Sequence, residues 1–272
     1  MTNGPDTSIA LKLFINTMRI KRALCLITIL IVCAAPATAQ QSGMTLESSF
    51  RQEVPSAASG VFGRAMAMSK AGKGELAQTL LKEALKIYPD YFDAHLALGN
   101  ELFRAGRLQE AMTEFERARS INPKDDQVYL SVGLVMMQQK RYDVAAAIFA
   151  DAALLNTSEP LHPLMRGIAL VRQATAIQQP DSKSSEAERD ALFKKAEAAL
   201  ARASDLSGGK LPEVYLYRAL IYERRGERER AALELEQYLQ LNPLVENAGA
   251  IREAIRKLRA PANTAAPSPT PQ

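Results

Sequence analysis

Residues 92–123 read FDAHLALGNELFRAGRLQEAMTEFERARSINP, and the pattern of this stretch returns along the chain. Gly99 and Gly133 are 34 residues apart, and Phe115 and Phe149 have the same spacing. Self-similarity at a period of this length indicates an array of repeats, in which each unit buries its apolar face against the next. The sequence therefore predicts a repeat protein built from amphipathic helices.

The residues that recur with this period resemble those of the tetratricopeptide repeat. A Leu-Gly pair is followed at fixed intervals by Ala, a large apolar residue, Ala and Pro, which are here Leu98, Gly99, Ala111, Phe115, Ala118 and Pro123. The phase predicts five repeats, at residues 58–91, 92–125, 126–159, 160–211 and 212–245. The resemblance implies an all-α fold, a right-handed superhelical solenoid of helix-turn-helix units. Gly106 and Gly226 lie at the turns, where a left-handed backbone suits glycine.

The fourth repeat is interrupted by an insertion of about 17 residues, judged from the repeat phase. The polar stretch from Gln173 to Ser184 predicts a surface loop or a frayed helix extension. Ser185, with Glu188 three residues later, predicts a capping box at which the helix restarts.

The end of the array has its own pattern. Ile251, Ile255 and Leu258 share one face of a predicted helix, so residues 246–259 are expected to form a capping helix over the last repeat. Residues 260–272 are rich in Pro, Ala, Thr and Ser, and predict a disordered tail.

Residues 1–39 predict an export signal. Basic residues precede an apolar run from Ala23 to Ala35, and small residues then predict cleavage between Ala39 and Gln40. An uncleaved N-terminal anchor is the alternative, and Met18 is the expected true start of translation. Residues 40–57 read as a polar linker.

Charge and cysteine content exclude several classes of function. The formal net charge is +4, but residues 40–272 hold 30 basic and 29 acidic residues, so the predicted mature chain is nearly neutral. This balance argues against nucleic-acid binding. Both cysteines lie in the predicted signal, which excludes disulfide and thiol chemistry in the mature protein.

The sequence contains no recognisable catalytic or metal-ligating pattern. The two histidines, His95 and His162, do not have a metal-ligand spacing, and His95 is expected to pack where the family prefers an aromatic side chain. We therefore predict a protein that is not an enzyme and that uses no cofactor and no metal.

The resemblance places a partner-binding groove on the first helix of each repeat. Carried over by phase, the groove residues are Phe62, Met66, Lys70, Leu96, Asn100, Phe103, Arg104, Leu130, Leu134, Met137, Leu164, Ile168, Val171, Arg172, Leu220 and Arg224. The groove is expected to be apolar through its middle. Four of its residues, Lys70, Arg104, Arg172 and Arg224, form a candidate row of cations for carboxylates of a partner.

The predicted function is that of a non-catalytic scaffold or adaptor for protein–protein interaction in the cell envelope, periplasmic or secreted. Its partner would present an extended or helical apolar segment with some negative charge. Two alternatives stay open, a self-associating structural oligomer and an accessory subunit of an envelope enzyme complex. Contact with a membrane is expected only through an uncleaved signal anchor.

Overall fold

The computed structural model describes residues 50, 52–177 and 183–260. The predicted signal with its cleavage site, and the predicted tail beyond residue 260, lie outside the described residues. Within them, the helices of the first three repeats are α1 Ser56–Lys70, α2 Gly74–Ile87, α3 Phe92–Arg104, α4 Leu108–Ile121, α5 Asp126–Gln138 and α6 Tyr142–Leu155. The remaining helices are α7 Leu161–Ala176, α8 Lys183–Ser207, α9 Pro212–Arg224, α10 Arg228–Leu241 and α11 Ala248–Arg259.

The helices form five pairs and a final single helix, which confirms the predicted all-α solenoid with its capping helix. Each helix packs against the next one along the chain, from α1 to α11. In addition α3 contacts α5, and α7 contacts α9, so the first helices of neighbouring repeats form an inner layer. The second helices form the outer layer.

A left-handed residue joins the two helices of four of the repeats. Gly72, Gly106 and Gly226 have φ angles of 72°, 76° and 77°. In the third repeat Lys140 occupies the equivalent position with a φ of 61°, a conformation in which a side chain is strained. The fold therefore imposes the same turn even where the sequence lacks glycine.

Aromatic rings packed against glycines hold the two layers together. Phe115 and Phe149 are fully buried. The ring of Phe115 lies on Gly99, where a Cβ atom would come 2.5 Å from Cε1 of Phe115, and Phe149 lies on Gly133 in the same way. Glycine at this position therefore makes room for the ring of the outer helix.

The fourth repeat is lengthened mainly by helix. Its helices α7 and α8 have 16 and 25 residues, whereas the helices of the third repeat have 13 and 14. Both ends of the polar stretch from Gln173 are helical, which agrees with the predicted alternative of a helix extension rather than a loop. Ser185 lies inside α8 and not at its start. The polar residues cover only the exposed side of these turns, because Ala174, Leu192 and Phe193 are buried on the other side.

The described end of the predicted linker packs on the array. The side-chain oxygen of Gln52 accepts a hydrogen bond of 3.0 Å from the backbone N–H of Phe92, and its amide nitrogen donates to the carbonyl of Asp90. The ring of Phe50 meets Phe92 edge-on, with centroids 5.7 Å apart. Gln52 therefore satisfies a backbone donor at the start of α3 that the helix itself leaves unpaired.

Arginines fix the capping helix α11 to α10. Arg228 donates hydrogen bonds of 3.0 Å and 2.5 Å to the carbonyls of Leu258 and Lys257, at the end of α11. A cation is favourable there because the last carbonyls of a helix carry partial negative charge. Arg259 pairs with Glu236 at 2.7 Å. The apolar side of α11, with Ile251, Ile255 and Leu258, is buried against the last repeat.

Candidate partner-binding groove

The inner helices of the first three repeats expose apolar side chains on one face. On α3, Leu96, Asn100 and Phe103 follow one another at the spacing that places residues on the same side of a helix. Similar residues lie on α1 and α5. Seven residues in all are partly exposed, and we call them the groove patch: Phe62, Met66, Leu96, Asn100, Phe103, Leu134 and Met137.

Part of the predicted groove on α5, α7 and α9 is buried in the core. Five of its predicted residues are at most 9% exposed: Leu130, Leu164, Ile168, Val171 and Leu220. Helix α7 is apolar on nearly all sides and packs against α6, α8 and α9, so its inner face becomes part of the core. The prediction that these five side chains meet a partner is therefore corrected.

Aromatic rings build the N-terminal end of the groove patch. Phe62 packs against Tyr91 with ring centroids 5.1 Å apart, and Tyr91 in turn lies 6.1 Å from Tyr88. Tyr91 is buried, whereas Phe62 and Tyr88 are partly exposed. Rings held by their neighbours present a rigid apolar surface, which is the kind of anchor found at the centre of protein interfaces.

The predicted row of cations is interrupted by internal pairing. Arg104 pairs with Glu101, a carboxylate that is only 5% exposed, and also donates a 3.1 Å hydrogen bond to Ser69 Oγ. Arg172 hydrogen bonds to Tyr217 of the next repeat. Lys70 and Arg224 are exposed at the two ends of the row. Arg104 and Arg172 thus link repeats, and a continuous ladder of available cations is not formed.

Two carboxylates lie at the starts of inner helices, Asp93 in the first turn of α3 and Asp125 at the N-cap of α5. Asp93 shares the face of Leu96 and Asn100 on α3, and Asp125 caps α5 by accepting from the N–H groups of Gln127 and Val128. Burial raises the pKa of Asp93 and that of Asp125, and the charges of Asp126 and Asp93 raise that of Asp125 further. Among the described residues, no salt bridge involves either carboxylate.

Both histidines make structural contacts. His95 lies between Glu114 Oε2, 2.7 Å from its Nδ1, and the carbonyl oxygen of Pro89, 2.8 Å from its Nε2. His162 is fully buried, with Nε2 2.7 Å from Asp126 Oδ2. Burial opposes ionisation of Asp126, but the hydrogen bond and the charge of His162 outweigh it and lower the pKa of Asp126. The two histidines therefore bind neighbouring helices together.

In the described part of the chain, no group of three or more His, Cys, Asp or Glu side chains is arranged to hold a metal ion. The helices of residues 56–176 and 183–259 include none that is long and apolar enough to span a membrane.

Comparisons with known proteins agree with this architecture. Solved structures with the same fold include MamA 41-end from Desulfovibrio magneticus RS-1, at 16% identity and a TM-score of 0.58 over 71% of this chain and 99% of that chain. PilW, a type IV pilus biogenesis factor, is 18% identical with a TM-score of 0.60 over 75% and 91% of the two chains. YrrB, a tetratricopeptide-repeat protein with an unusual peptide-binding site, is 16% identical with a TM-score of 0.53 over 71% and 90%.

These identities are too low to show more than the fold. No curated protein sequence matches the chain significantly. A family model does match: residues 69–134, which run from the end of α1 into α5, fit the tetratricopeptide repeat. Residues 69–134 therefore match the tetratricopeptide repeat in sequence, and the five stacked helix pairs have the fold of tetratricopeptide-repeat structures.

Proposed function

We propose that this protein is a non-catalytic scaffold that binds an apolar segment of a partner protein on the groove patch. The proposal rests on a difference between the repeats in how far the apolar side chains of their inner helices are buried. The predicted apolar groove positions of α7 are buried in the core, whereas apolar side chains are partly exposed on the inner face of α1, α3 and α5. Contiguous exposed apolar surface on a soluble domain is typical of an interaction site.

The side chains of the patch suit recognition of a helix or an extended peptide. Phe62 and Phe103 can act as anchors, and Met66 and Met137 can adapt their shape to a partner. YrrB, whose fold is similar, is described as having a peptide-binding site. The Phe, Met and Leu side chains of the patch would supply most of the affinity, because their burial removes apolar surface from water.

The proposed location is the cell envelope, as a periplasmic or secreted protein, or as an outward-facing protein held by its N-terminus. This part of the proposal is supported by the basic, apolar and small-residue pattern of residues 1–39. PilW, which shares the fold, is a type IV pilus biogenesis factor. A scaffold role in an envelope assembly is consistent with both observations.

Affinity purification from the native envelope, followed by mass spectrometry, tests the proposal directly. Phe103→Ala and, separately, Met137→Ala should each weaken capture of the partner, by about 2 kcal/mol or more if the residue is a hot spot. The control is Glu116→Gln, which changes an exposed residue of the outer helix α4. Each variant is first checked for the wild-type melting temperature, so that lost capture reflects the surface and not the fold.

The proposal fails if both groove variants capture the partner as well as the wild type does. It also fails if Glu116→Gln abolishes capture while the groove variants do not, since the outer layer would then be the binding surface. Light scattering at several protein concentrations separates a monomeric scaffold from a self-associating oligomer.

A further inference from the structure

We propose that residues 44–50 of the chain bind the groove patch of the same molecule, so that a partner must displace them. The inference rests on the proposed function, because it describes how that same surface is regulated. Residues 44–49 lie outside the described residues, and the evidence comes from the contacts and the sequence pattern of the residues that follow them.

The described end of the linker already lies along the start of α3. Val54 packs against the core. The side chain of Gln52 forms hydrogen bonds with backbone groups of Asp90 and Phe92. The ring centroid of Phe50 lies 5.7 Å from that of Phe92. These contacts form a continuous interface that reaches α3 at its first residue.

The burial of this segment alternates along the chain. Gln52 and Val54 are partly buried, whereas Glu53 and Pro55 are exposed. In an extended chain successive side chains point to opposite sides, so residues two apart face the same way. The even-numbered residues therefore face the array, and Phe50 fits this pattern through its contact with α3.

The sequence continues this alternation upstream of Phe50. Among the even-numbered residues from 44 to 54, the apolar ones are Met44, Leu46, Phe50 and Val54. The odd-numbered residues from 45 to 53 are all polar: Thr45, Glu47, Ser49, Arg51 and Glu53. Alternation of apolar and polar residues is typical of an extended segment with one side buried. The pattern thus assigns Met44 and Leu46 to the side that meets the array.

The groove patch begins one helical turn beyond the contact of Phe50. Leu96 follows Phe92 by four residues on α3, so both lie on the same side of that helix. From Phe92 to Phe103 the helix rises by about 16 Å. Six extended residues, from Phe50 back to Met44, span about 20 Å. The segment is thus long enough to cover the part of the patch that lies on α3.

The patch offers apolar contacts at the point where the segment reaches it. Phe62 of α1 packs against Tyr91, the residue before α3, with ring centroids 5.1 Å apart. Leu96 and Phe103 are partly exposed further along α3. Binding of Met44 and its apolar neighbours there would remove apolar surface of both segment and patch from water.

A tethered segment needs little affinity to occupy the patch. The contacts of Gln52 and Phe50 hold it nearby, and a short linker gives an effective concentration of the order of millimolar. A segment that binds as a separate peptide with a dissociation constant of about 0.1 mM would then leave the patch free in about a tenth of the molecules. The apparent affinity for a partner would be reduced about tenfold in consequence.

The tail beyond residue 260 is a poorer occupant of the patch. Residues 261–272 contain no aromatic residue and no Leu, Ile, Val or Met. They follow α11, which packs against α10 of the fifth repeat, whereas the patch lies on the first three repeats. The N-terminal segment has both the apolar side chains and the position that the tail lacks.

A single tryptophan can report on the segment, because the natural sequence contains none. Leu46→Trp places it on the side proposed to meet the patch, and the matched control Glu47→Trp places it on the opposite side. Both are made in the full chain, with and without Phe103→Ala, and purified as exported protein. Each variant is checked for the wild-type melting temperature, and its emission maximum and its quenching by acrylamide are measured.

We expect the tryptophan of Leu46→Trp to emit at shorter wavelength, and to be quenched less, than that of Glu47→Trp. Phe103→Ala should move the emission of Leu46→Trp toward that of the control and leave the control unchanged. Dilution should change neither signal, because the segment and the patch belong to one molecule.

Capture of the partner provides the second measurement. Met44→Ser with Leu46→Ser should increase the apparent affinity for the partner by up to about tenfold, because the patch is then free. The control, Thr45→Ser with Glu47→Gln, changes only the opposite side of the segment and should leave capture unchanged.

Equal emission and quenching of the two tryptophans would overturn the inference. So would shielding of Leu46→Trp that is lost on dilution, since the segment would then come from a second copy. In either case the groove function stands if Phe103→Ala still weakens capture of the partner. If Leu46→Trp is shielded in a manner that depends on Phe103, but neither Phe103→Ala nor Met137→Ala affects capture, the segment binds the patch and the proposed function falls, together with displacement by a partner.

Discussion

Replacing glycine by alanine should stabilise one helix of this protein and destabilise another, although the chemical change is the same. Gly63 lies in α1 and Gly99 in α3, and neither has a positive φ. A Cβ atom at Gly63 would meet nothing within 4 Å, whereas at Gly99 it would come 2.5 Å from Cε1 of the Phe115 ring. Phe115 is fully buried, so its ring has little room to move away.

The expected magnitudes follow from two opposing effects. Alanine in a helix is favoured over glycine by about 0.5–1 kcal/mol, because glycine loses more backbone freedom on folding. Gly63→Ala should therefore raise the free energy of unfolding by up to this amount. An extra carbon in a packed core costs about 1–3 kcal/mol. For Gly99→Ala the cost exceeds the gain, and we expect a net loss of up to about 2 kcal/mol.

Urea unfolding followed by far-UV circular dichroism measures both changes. With a denaturant slope of about 1–3 kcal/mol per molar, each 1 kcal/mol moves the midpoint by about 0.3–1 M. The fifth repeat indicates how to rescue the loss, since Ala219 and Leu235 occupy the positions of Gly99 and Phe115. Gly99→Ala with Phe115→Leu should thus lose less than the two single changes predict by addition. If Gly99→Ala raises the midpoint as Gly63→Ala does, the ring contact does not explain the glycine.

Three further predictions concern the turn, the buried histidine and the N-terminus. Lys140→Gly should raise the urea midpoint, because it relieves a left-handed φ that the other repeats assign to glycine. Asp126 has a pKa lowered below its ordinary value of 3.8, so its stabilising effect is complete above that pH and is lost as pH falls through the folded pKa. The midpoint of Asp126→Asn should accordingly be lower at neutral pH and vary less in acid than that of the wild type. N-terminal sequencing of exported protein should begin at Gln40, and intact residues 18–39 would contradict cleavage.

The period of the sequence was enough to predict most of the fold. Residues such as Gly99 and Phe115 recur at a fixed period because the two helices of each repeat pack in the same way. The five helix pairs follow from this period. In the fourth repeat, the polarity of the inserted residues could not distinguish a loop from a helix extension. A helix that covers its neighbour on one side can be polar on the other, and Leu192 with Phe193 provides the buried side of α8.

The groove was harder to predict because exposure depends on the distance between neighbouring inner helices. The phase assigns Ile168 and Leu134 to the same surface, yet Ile168 is buried and Leu134 is partly exposed. The apolar composition of α7 on nearly all sides was a usable signal of burial. The pairing of Arg104 was also readable, since Glu101 lies three residues before it on the same helix.

The carboxylates at the starts of α3 and α5 give a stability prediction whose sign is opposite to that of Asp126. Burial raises the pKa of Asp93 and of Asp125 above 3.8, so the folded chain holds their protons more tightly than the unfolded chain does. Ionisation of these groups therefore opposes folding above that pH, and the opposition disappears as pH falls below it. At neutral pH the urea midpoint of the double variant Asp93→Asn with Asp125→Asn should therefore equal or exceed that of the wild type. A lower midpoint would show that the two charges stabilise the starts of their helices by more than their burial costs.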